Sequence, residues 1–219
     1  MNFLNSSIGK KIQIAISGIF LAIFLLFHLA NNLVLFAGAE QFNKMVHFLE
    51  SIKPIIRIME AGLLFILLTH TINAIQITLL NKKQKPINYA NKEGAKVSTL
   101  NSRTMAISGT IILLFFIIHL GYIWLTYQTH NFSEAETYYD VLLRNQPGYL
   151  NHTPTAIFYI VAIFLIGYHL QHGFQSALKT LGFSIKSFSM LYKLSFIFWG
   201  LIPMGFIIII LSIQLGFIK

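Results

Sequence analysis

Five long apolar segments dominate the chain, and each is long enough to cross a lipid bilayer as a helix. The hydrocarbon core of a bilayer is about 30 Å thick, so a spanning helix needs roughly 20 predominantly apolar residues. Composition agrees, because 55% of the 219 residues are hydrophobic and only 11% are charged, whereas soluble domains carry about 25% charged residues. We therefore expect an all-α membrane protein with a single integral membrane domain over residues 1–219. The expected spans cover about 11–36, 55–80, 104–128, 154–178 and 194–217.

Lysine and arginine residues alternate between the two ends of these spans. Of the 16 Lys and Arg residues, 11 precede the first span, lie between the second and third, or lie between the fourth and fifth. The positive-inside rule places these segments in the cytoplasm. We therefore expect a cytoplasmic N-terminus, an external C-terminus and a multi-pass topology in the cytoplasmic membrane of a bacterium. The same rule accounts for the net charge of +9 without nucleic acid as a partner.

The connections between the spans differ in character. Residues 40–52 carry apolar side chains at helical spacing, which predicts a short helix lying on the membrane surface. Residues 133–145 are a candidate for a second helix of this kind. The loop 81–102 is polar, and we expect it to be exposed. We expect no internal repeat and no low-complexity tract.

The chain contains no cysteine. This excludes thiolate-held iron–sulfur clusters, Cys-rich zinc sites and a haem attached through a C-x-x-C-H motif. Any haem in this chain must therefore be held without covalent links to cysteine.

Five histidines fall within the apolar spans, where ionisable side chains are costly and mark functional sites. They are His28, His70, His119, His169 and His172. A rise of about 1.5 Å per residue puts His28 and His119 about 25 and 22 Å from the cytoplasmic ends of their spans. His70 and His169 lie about 15 and 13 Å from those ends. Depth therefore sorts these four into an outer pair, His28 with His119, and an inner pair, His70 with His169.

Each pair offers two imidazoles from two different spans, which is the arrangement of a six-coordinate haem iron. Bis-His ligation closes both axial positions and suits electron transfer rather than oxygen binding. A lone histidine in a membrane span is as often there to form a helix–helix hydrogen bond as to serve a function. Zinc would need three or four ligands clustered together. The residues therefore favour two haems stacked across the bilayer. Basic candidate partners for the haem propionates are Arg103, Lys179 and His172, and Ser102 and Ser108 are the hydroxyl candidates, although residues of these types near the ends of spans are also ordinary interfacial residues.

Five sequence segments are together more specific than any one of them alone. They are SSIGKKIQIAISGIFLAIFLLFHLANNL (6–33), HFLESIKP (47–54), LLTHTINAI (67–75), SRTMAISGTIILLFFIIHL (102–120) and YHLQHGFQSALKTLG (168–182). Through them the chain resembles the cytochrome b membrane-anchor subunit of succinate dehydrogenase and fumarate reductase. The form it resembles is the single-subunit, five-helix, di-haem form, and the resemblance runs along nearly the whole chain.

The resemblance implies four axial haem ligands, one from each of the first four spans. Matched motif by motif, these fall on His28, His70, His119 and His169. The family pairs the first span with the third and the second with the fourth, in agreement with the depths. Its last ligand precedes a glycine by four positions, which selects His169, with Gly173, over His172.

The resemblance also implies cofactors and partners. The chain would bind two haem b groups and pass electrons between an iron–sulfur subunit and a membrane quinone, menaquinone by resemblance. A flavoprotein with covalent FAD and the dicarboxylate site would dock with the iron–sulfur subunit on the cytoplasmic face, and the whole complex could dimerise. Such a complex acts as succinate dehydrogenase of the tricarboxylic acid cycle or as fumarate reductase, and the sequence does not set the direction.

Three titratable side chains near the outer pair are candidates for the quinone or proton site, namely Glu60, His47 and Glu50. Glu60 stands out because it lies near the outer end of the second span, although pairing with Arg57 is the competing interpretation. A transporter or proton channel with a histidine relay is the alternative function. It predicts polar residues between the histidines and discontinuous helices, whereas Leu, Ile, Phe and Tyr largely flank each histidine.

Overall fold

The computed structural model describes residues 3–83, 100–129, 136–183 and 185–219, with side chains for all of these except residues 82–83, 100–103, 185–189 and 192. Within these ranges the chain is helical and contains no strand. The α-helices are α1 (Ser7–Leu33), α2 (Ala39–Ser51), α3 (Lys53–Lys83), α4 (Leu100–His119), α5 (Leu125–Thr129), α6 (Tyr138–Leu142), α7 (Thr153–Thr180), α8 (Ile185–Phe196) and α9 (Ile202–Gln214). Two π-helical turns, Leu120–Trp124 and Ile197–Leu201, join α4 to α5 and α8 to α9.

Five stretches of these helices are long and apolar enough to cross a membrane. They are Ser7–Ala37, Lys53–Asn81, Thr104–Thr129, Thr153–Thr180 and Lys193–Gln214, the first to fifth spans. They confirm the five predicted spans to within a few residues. The first span begins earlier than predicted because the Ser6 hydroxyl accepts a hydrogen bond from the Gly9 backbone N–H and so caps the helix. Large apolar side chains such as Phe65 and Phe164 are 71% and 67% exposed, which suits surfaces that face lipid.

The first four spans form a four-helix bundle in which consecutive spans run antiparallel. The first span packs on the second and fourth, and the third packs on the fourth, whereas the second and third barely touch. The fifth span packs on the fourth and first. The first and third spans are therefore diagonal across the bundle, as are the second and fourth. The two predicted histidine pairs thus come from the two diagonals.

The predicted short helix over residues 40–52 is present as α2, which begins after a turn at Gly38 with a φ of +89°; its place on the membrane surface stays a prediction. Of the second candidate segment, 133–145, residues 138–142 form α6, which Thr137 and Asp140 cap reciprocally. Residues 130–135 and most of the loop 81–102 lie outside the described part of the chain. The bundle end that carries α2 and α6 is called the α2 end. The opposite end, which carries Lys10, Lys11 and Lys179, is called the lysine-rich end.

Candidate functional site

His28 of the first span and His119 of the third span meet across the bundle. Their ring centroids are 5.8 Å apart and their planes are at 84°. Phe24 stacks on His28 and Phe115 stacks on His119. The Tyr159 hydroxyl lies 3.5 Å from His119 Nδ1, at the long limit of a hydrogen bond. The structure therefore brings together the two histidines of the outer pair within an aromatic enclosure.

His70 of the second span is held by oxygen atoms of the first span. Its Nδ1 lies 3.1 Å from Ser17 Oγ and 3.2 Å from the Ile14 carbonyl oxygen. The Ser17 hydroxyl donates to the Gln13 carbonyl at 2.6 Å. Because carbonyl oxygens only accept hydrogen bonds, Nδ1 of His70 carries the hydrogen and donates it. The neutral ring therefore keeps its lone pair on Nε2.

His169 of the fourth span shows the same arrangement against the third span. Its Nδ1 lies 3.1 Å from Ser108 Oγ, and the Ser108 hydroxyl donates to the Met105 carbonyl at 3.1 Å. Histidines that bind a metal almost always donate a hydrogen bond from the other ring nitrogen. Nε2 of His70 thus carries the free lone pair, and a hydrogen on Nδ1 of His169 would leave Nε2 of His169 in the same state.

A glycine follows each of these serines and lies against the same imidazole. A Cβ on Gly18 would lie 3.2 Å from Cε1 of His70, and one on Gly109 would lie 3.5 Å from Cε1 of His169. Each serine–glycine step therefore provides both a hydrogen-bond acceptor and room for the ring.

The two serines occupy equivalent positions in a repeat that the sequence analysis missed. The segments AISGIFLAIFLLFHL (15–29) and AISGTIILLFFIIHL (106–120) share Ala-Ile-Ser-Gly and His-Leu at the same spacing. The expectation of no internal repeat is therefore wrong. Apolar residues interchange freely in spanning helices, so only the shared small and polar residues reveal the repeat.

Glu60 forms two hydrogen bonds near the α2 end of the second span. Arg57 Nη1 donates to its Oε2 at 2.6 Å, and Trp124 Nε1 donates to its Oε1 at 2.9 Å. Glu60 thus pairs with Arg57, as the competing interpretation of this residue expects. The indole of Trp124 joins it from the third span, so Glu60 bridges two spans that otherwise barely touch.

The position of Trp124 follows from the π-helical turn Leu120–Trp124, which comes directly after His119. Such turns are rare within α-helices and are frequent at functional sites. The register of the first two spans, fixed by the contact between Ser17 and His70, puts Glu60 level with His28 to within about one residue, or about 1.5 Å. The Glu60 cluster therefore lies at the depth of the outer histidine pair.

His47 and Glu50 lie on α2 rather than on a span. His47 Nδ1 is 3.5 Å from Glu50 Oε2, and Tyr138 of α6 hydrogen-bonds Glu50. Burial and the Glu50 carboxylate together raise the pKa of the Tyr138 phenol. The candidates for the quinone or proton site thus fall into two groups. Glu60 lies between the second and third spans, and His47 and Glu50 lie with Tyr138 on α2 and α6 at the α2 end.

A protein-family model, that of the succinate dehydrogenase/fumarate reductase transmembrane subunit, matches two ranges of the chain, residues 12–95 and residues 81–209. The chain belongs to this family. Each match contains one hydrogen-bonded inner histidine, His70 in the first and His169 in the second. As a transmembrane subunit of this family, the chain serves as a membrane anchor and associates with the other subunits of its complex. Comparison with curated proteins and with solved structures finds no match.

Two side-chain bridges near the lysine-rich end of this transmembrane subunit also escaped the sequence analysis. Asn73 Nδ2 donates to Gln13 Oε1 at 3.1 Å, and the Thr104 and Tyr168 hydroxyls lie 2.9 Å apart. Gln13 and Thr104 each lie four residues before the serine of their repeat. The repeat, once found, would have identified both.

Among the three basic candidates for propionate partners, the structure describes the side chains of His172 and Lys179. His172 is half-buried, one turn closer to the lysine-rich end than His169, and interacts electrostatically with Lys179. The side chain of Arg103 lies outside the described part of the chain.

The donor set of the transmembrane subunit fits haem. Among the residues that the structure describes, no group of three or more His, Cys, Asp or Glu side chains gathers to hold a metal ion. Haem needs no such group, because the porphyrin supplies four ligands and the protein supplies the axial ones. The inner pair offers two imidazoles whose Nε2 atoms take no part in the bonds to the serines, and the outer pair presents two rings 5.8 Å apart. Both fit the axial role.

Proposed function

We propose that this transmembrane subunit is the di-haem cytochrome b anchor of a succinate:quinone oxidoreductase. It would hold one haem b between His70 and His169 and a second between His28 and His119. It would thereby connect an iron–sulfur subunit to a membrane quinone, menaquinone in our proposal. The observation that carries the proposal is the inner pair, where a serine of a neighbouring span lies 3.1 Å from Nδ1 of each imidazole, so that Nε2 takes no part in that hydrogen bond.

Haem, when bound, supplies one-electron transfer at each pair, and the chain's residues control its surroundings. Ser17 and Ser108 orient the inner imidazoles and set their tautomer. Phe24 and Phe115 stack on the outer imidazoles and exclude water from them. An apolar environment of this kind strengthens electrostatic interactions at the site.

We assign the quinone site to the cluster of Arg57, Glu60 and Trp124. A quinone that takes two electrons must also take two protons, so its site needs a proton donor and an apolar slot open to lipid. Glu60 is a carboxyl at the depth of the outer pair, between two spans that barely touch. His47 and Glu50 on α2 would relay protons between this region and the external surface. Near the other end, Arg103, Lys179 and His172 are our proposed propionate partners.

The remaining subunits are part of the same proposal. The flavoprotein, with FAD and the dicarboxylate site, and the iron–sulfur subunit would bind the lysine-rich end on the cytoplasmic face of a bacterial membrane. The chain would then be the electron-transfer part of an enzyme whose dicarboxylate chemistry takes place on another subunit. Succinate oxidation and fumarate reduction would use the same residues of this chain.

An optical spectrum of the purified complex tests the proposal. We expect a dithionite-reduced b-type spectrum with about two haems per chain, since four axial histidines form two pairs. His169→Ala should remove one haem, whereas His172→Ala, one turn away on the same span, should leave both bound. Absence of haem from the wild-type protein would contradict the proposal and favour a histidine relay. Loss of a haem in the His172→Ala variant alone would show that the inner ligand is wrongly assigned.

A further inference from the structure

The two halves of the bundle repeat each other in sequence and in contacts. In the first half, Ser17 of the first span accepts from His70 of the second. In the second half, Ser108 of the third span hydrogen-bonds His169 of the fourth. Both distances are 3.1 Å, and each serine lies 11 residues before the outer histidine of its own span. The family model matches two ranges of the chain, of which the first covers nearly all of the first half and the second covers the second half together with most of the fifth span.

We propose that the bundle consists of two equivalent helical hairpins and that Ser17 and Ser108 are equivalent positioning residues for the inner haem. This inference rests on the proposed function, because it concerns how the inner haem is ligated. Each serine lies on a span that carries an outer ligand, yet it acts on the inner ligand of the neighbouring span. The two serines therefore contact the two histidines that would hold one haem.

The chemistry of each serine is fixed by its own helix. The Ser17 hydroxyl hydrogen is directed to the Gln13 carbonyl at 2.6 Å, and the Ile14 carbonyl places the hydrogen of His70 on Nδ1, so Ser17 Oγ accepts. The Ser108 hydroxyl can likewise donate to the Met105 carbonyl at 3.1 Å, and in the proposed arrangement Ser108 Oγ accepts from Nδ1 of His169. Accepting from Nδ1–H makes an imidazole more basic at Nε2. A more basic axial ligand stabilises ferric over ferrous iron and lowers the midpoint potential of the haem.

The outer pair differs from the inner pair. Aromatic rings surround His28 and His119, and the nearest hydroxyl, of Tyr159, lies 3.5 Å from His119. Removal of either serine should therefore affect the potential of the inner haem and leave that of the outer haem unchanged.

A redox titration of the purified complex tests this inference with three variants: Ser17→Ala, Ser108→Ala and the double variant. The His169→Ala variant identifies which titration wave belongs to the inner haem. We expect each single variant to shift the midpoint potential of that haem upward, and the double variant to shift it further than either. Thr110→Val is the matched control. Thr110 lies on the span that carries Ser108, its side chain is exposed, and its hydroxyl bonds the backbone of its own helix at Ala106.

Conservative variants separate positioning from packing. Ser17→Thr and Ser108→Thr retain a hydroxyl that can bond the preceding turn and should restore the wild-type potential. Loss of the inner haem alone in an alanine variant, with restoration by threonine, would also support the positioning role. An unchanged inner potential, a shift of the outer haem, or loss of both haems that threonine does not restore would overturn it. Absence of haem from the wild-type complex would instead contradict the proposed function.

Discussion

Gly148 shows how a single residue fixes the connection before the fourth span. It adopts a φ of +97°, and a Cβ there would overlap the ring of Tyr122. Gly38 has a similar φ of +89°, but nothing lies within 4 Å of its Cβ position. Gly38→Ala should therefore cost only the strain of an extended backbone at positive φ, about 1–3 kcal/mol, and Gly148→Ala should cost clearly more. Thermal unfolding of the purified protein in detergent measures both, and equal losses would contradict the predicted contact with Tyr122.

Glu60→Gln tests the half-buried Glu60 carboxyl as a group that exchanges protons, and it also removes the ion pair with Arg57. Glutamine retains an oxygen that can accept from Trp124 but cannot exchange a proton, and positioned acid–base groups typically contribute about 10²–10⁴-fold to a rate. We expect quinone turnover to fall by at least about tenfold while the haem spectrum is unchanged. Glu40→Gln is the control, because Glu40 is an exposed carboxylate of α2 paired with Lys44. Normal quinone turnover in the Glu60→Gln variant would remove Glu60 from the proton site.

At the scale of single residues, the sequence predicted the ligand candidates but not their supports. A histidine in an apolar span is conspicuous because burial of an ionisable group is costly. A serine in the same span is unremarkable, because its hydroxyl usually bonds the preceding turn of its own helix. Ser17 and Ser108 each bond the preceding turn of their own helix and also a histidine of a neighbouring helix. The second contact becomes visible only in the structure.

Among the helices, the contact between α2 and α6 predicts a response to alkaline pH. The folded protein raises the pKa of Tyr138 through burial and the Glu50 carboxylate, so above about pH 10 the unfolded chain loses this proton first. Stability is then fully present below that pH and falls above it, by up to about 1.4 kcal/mol per pH unit. Tyr138→Phe should flatten this dependence above pH 10, which unfolding midpoints at several pH values measure. A similar slope in the variant would contradict a role for Tyr138.

The elements differ in how far the sequence predicted them. The apolar positions of α2 recur with the period of a helix, so its existence and approximate bounds could be derived. The turn Leu120–Trp124 could not, because a π-helical turn differs from α-helix by one extra residue and its letters, LGYIW, are equally compatible with either. That turn orients Trp124 towards Glu60, so the hydrogen bond between them was also beyond prediction.

The whole molecule follows the same division. The number and approximate limits of the spans could be predicted because hydrocarbon thickness sets a minimum apolar length. The depths of the histidines then suggested which spans face each other. The packing order of the spans was not predictable, because lipid-facing and helix-facing surfaces are equally apolar in a membrane. The diagonal placement of the two histidine pairs is therefore a result of the structure.

The orientation of the whole bundle gives the last prediction. The absence of cysteine permits labelling of single introduced thiols, and two exposed serines lie at opposite ends: Ser7 begins α1 and Ser51 ends α2. Serine-to-cysteine changes at these positions leave the lysine distribution unaltered, and that distribution sets the topology. In intact spheroplasts, a membrane-impermeant maleimide should label the Ser51→Cys protein and not the Ser7→Cys protein. Inside-out vesicles should show the reverse pattern, because the lysine-rich end then faces the medium.

Labelling of the Ser7→Cys protein in intact spheroplasts would show that the topology is the reverse of the predicted one. The lysine-rich end, and with it the His70–His169 pair, would then lie on the side opposite to the proposed iron–sulfur subunit.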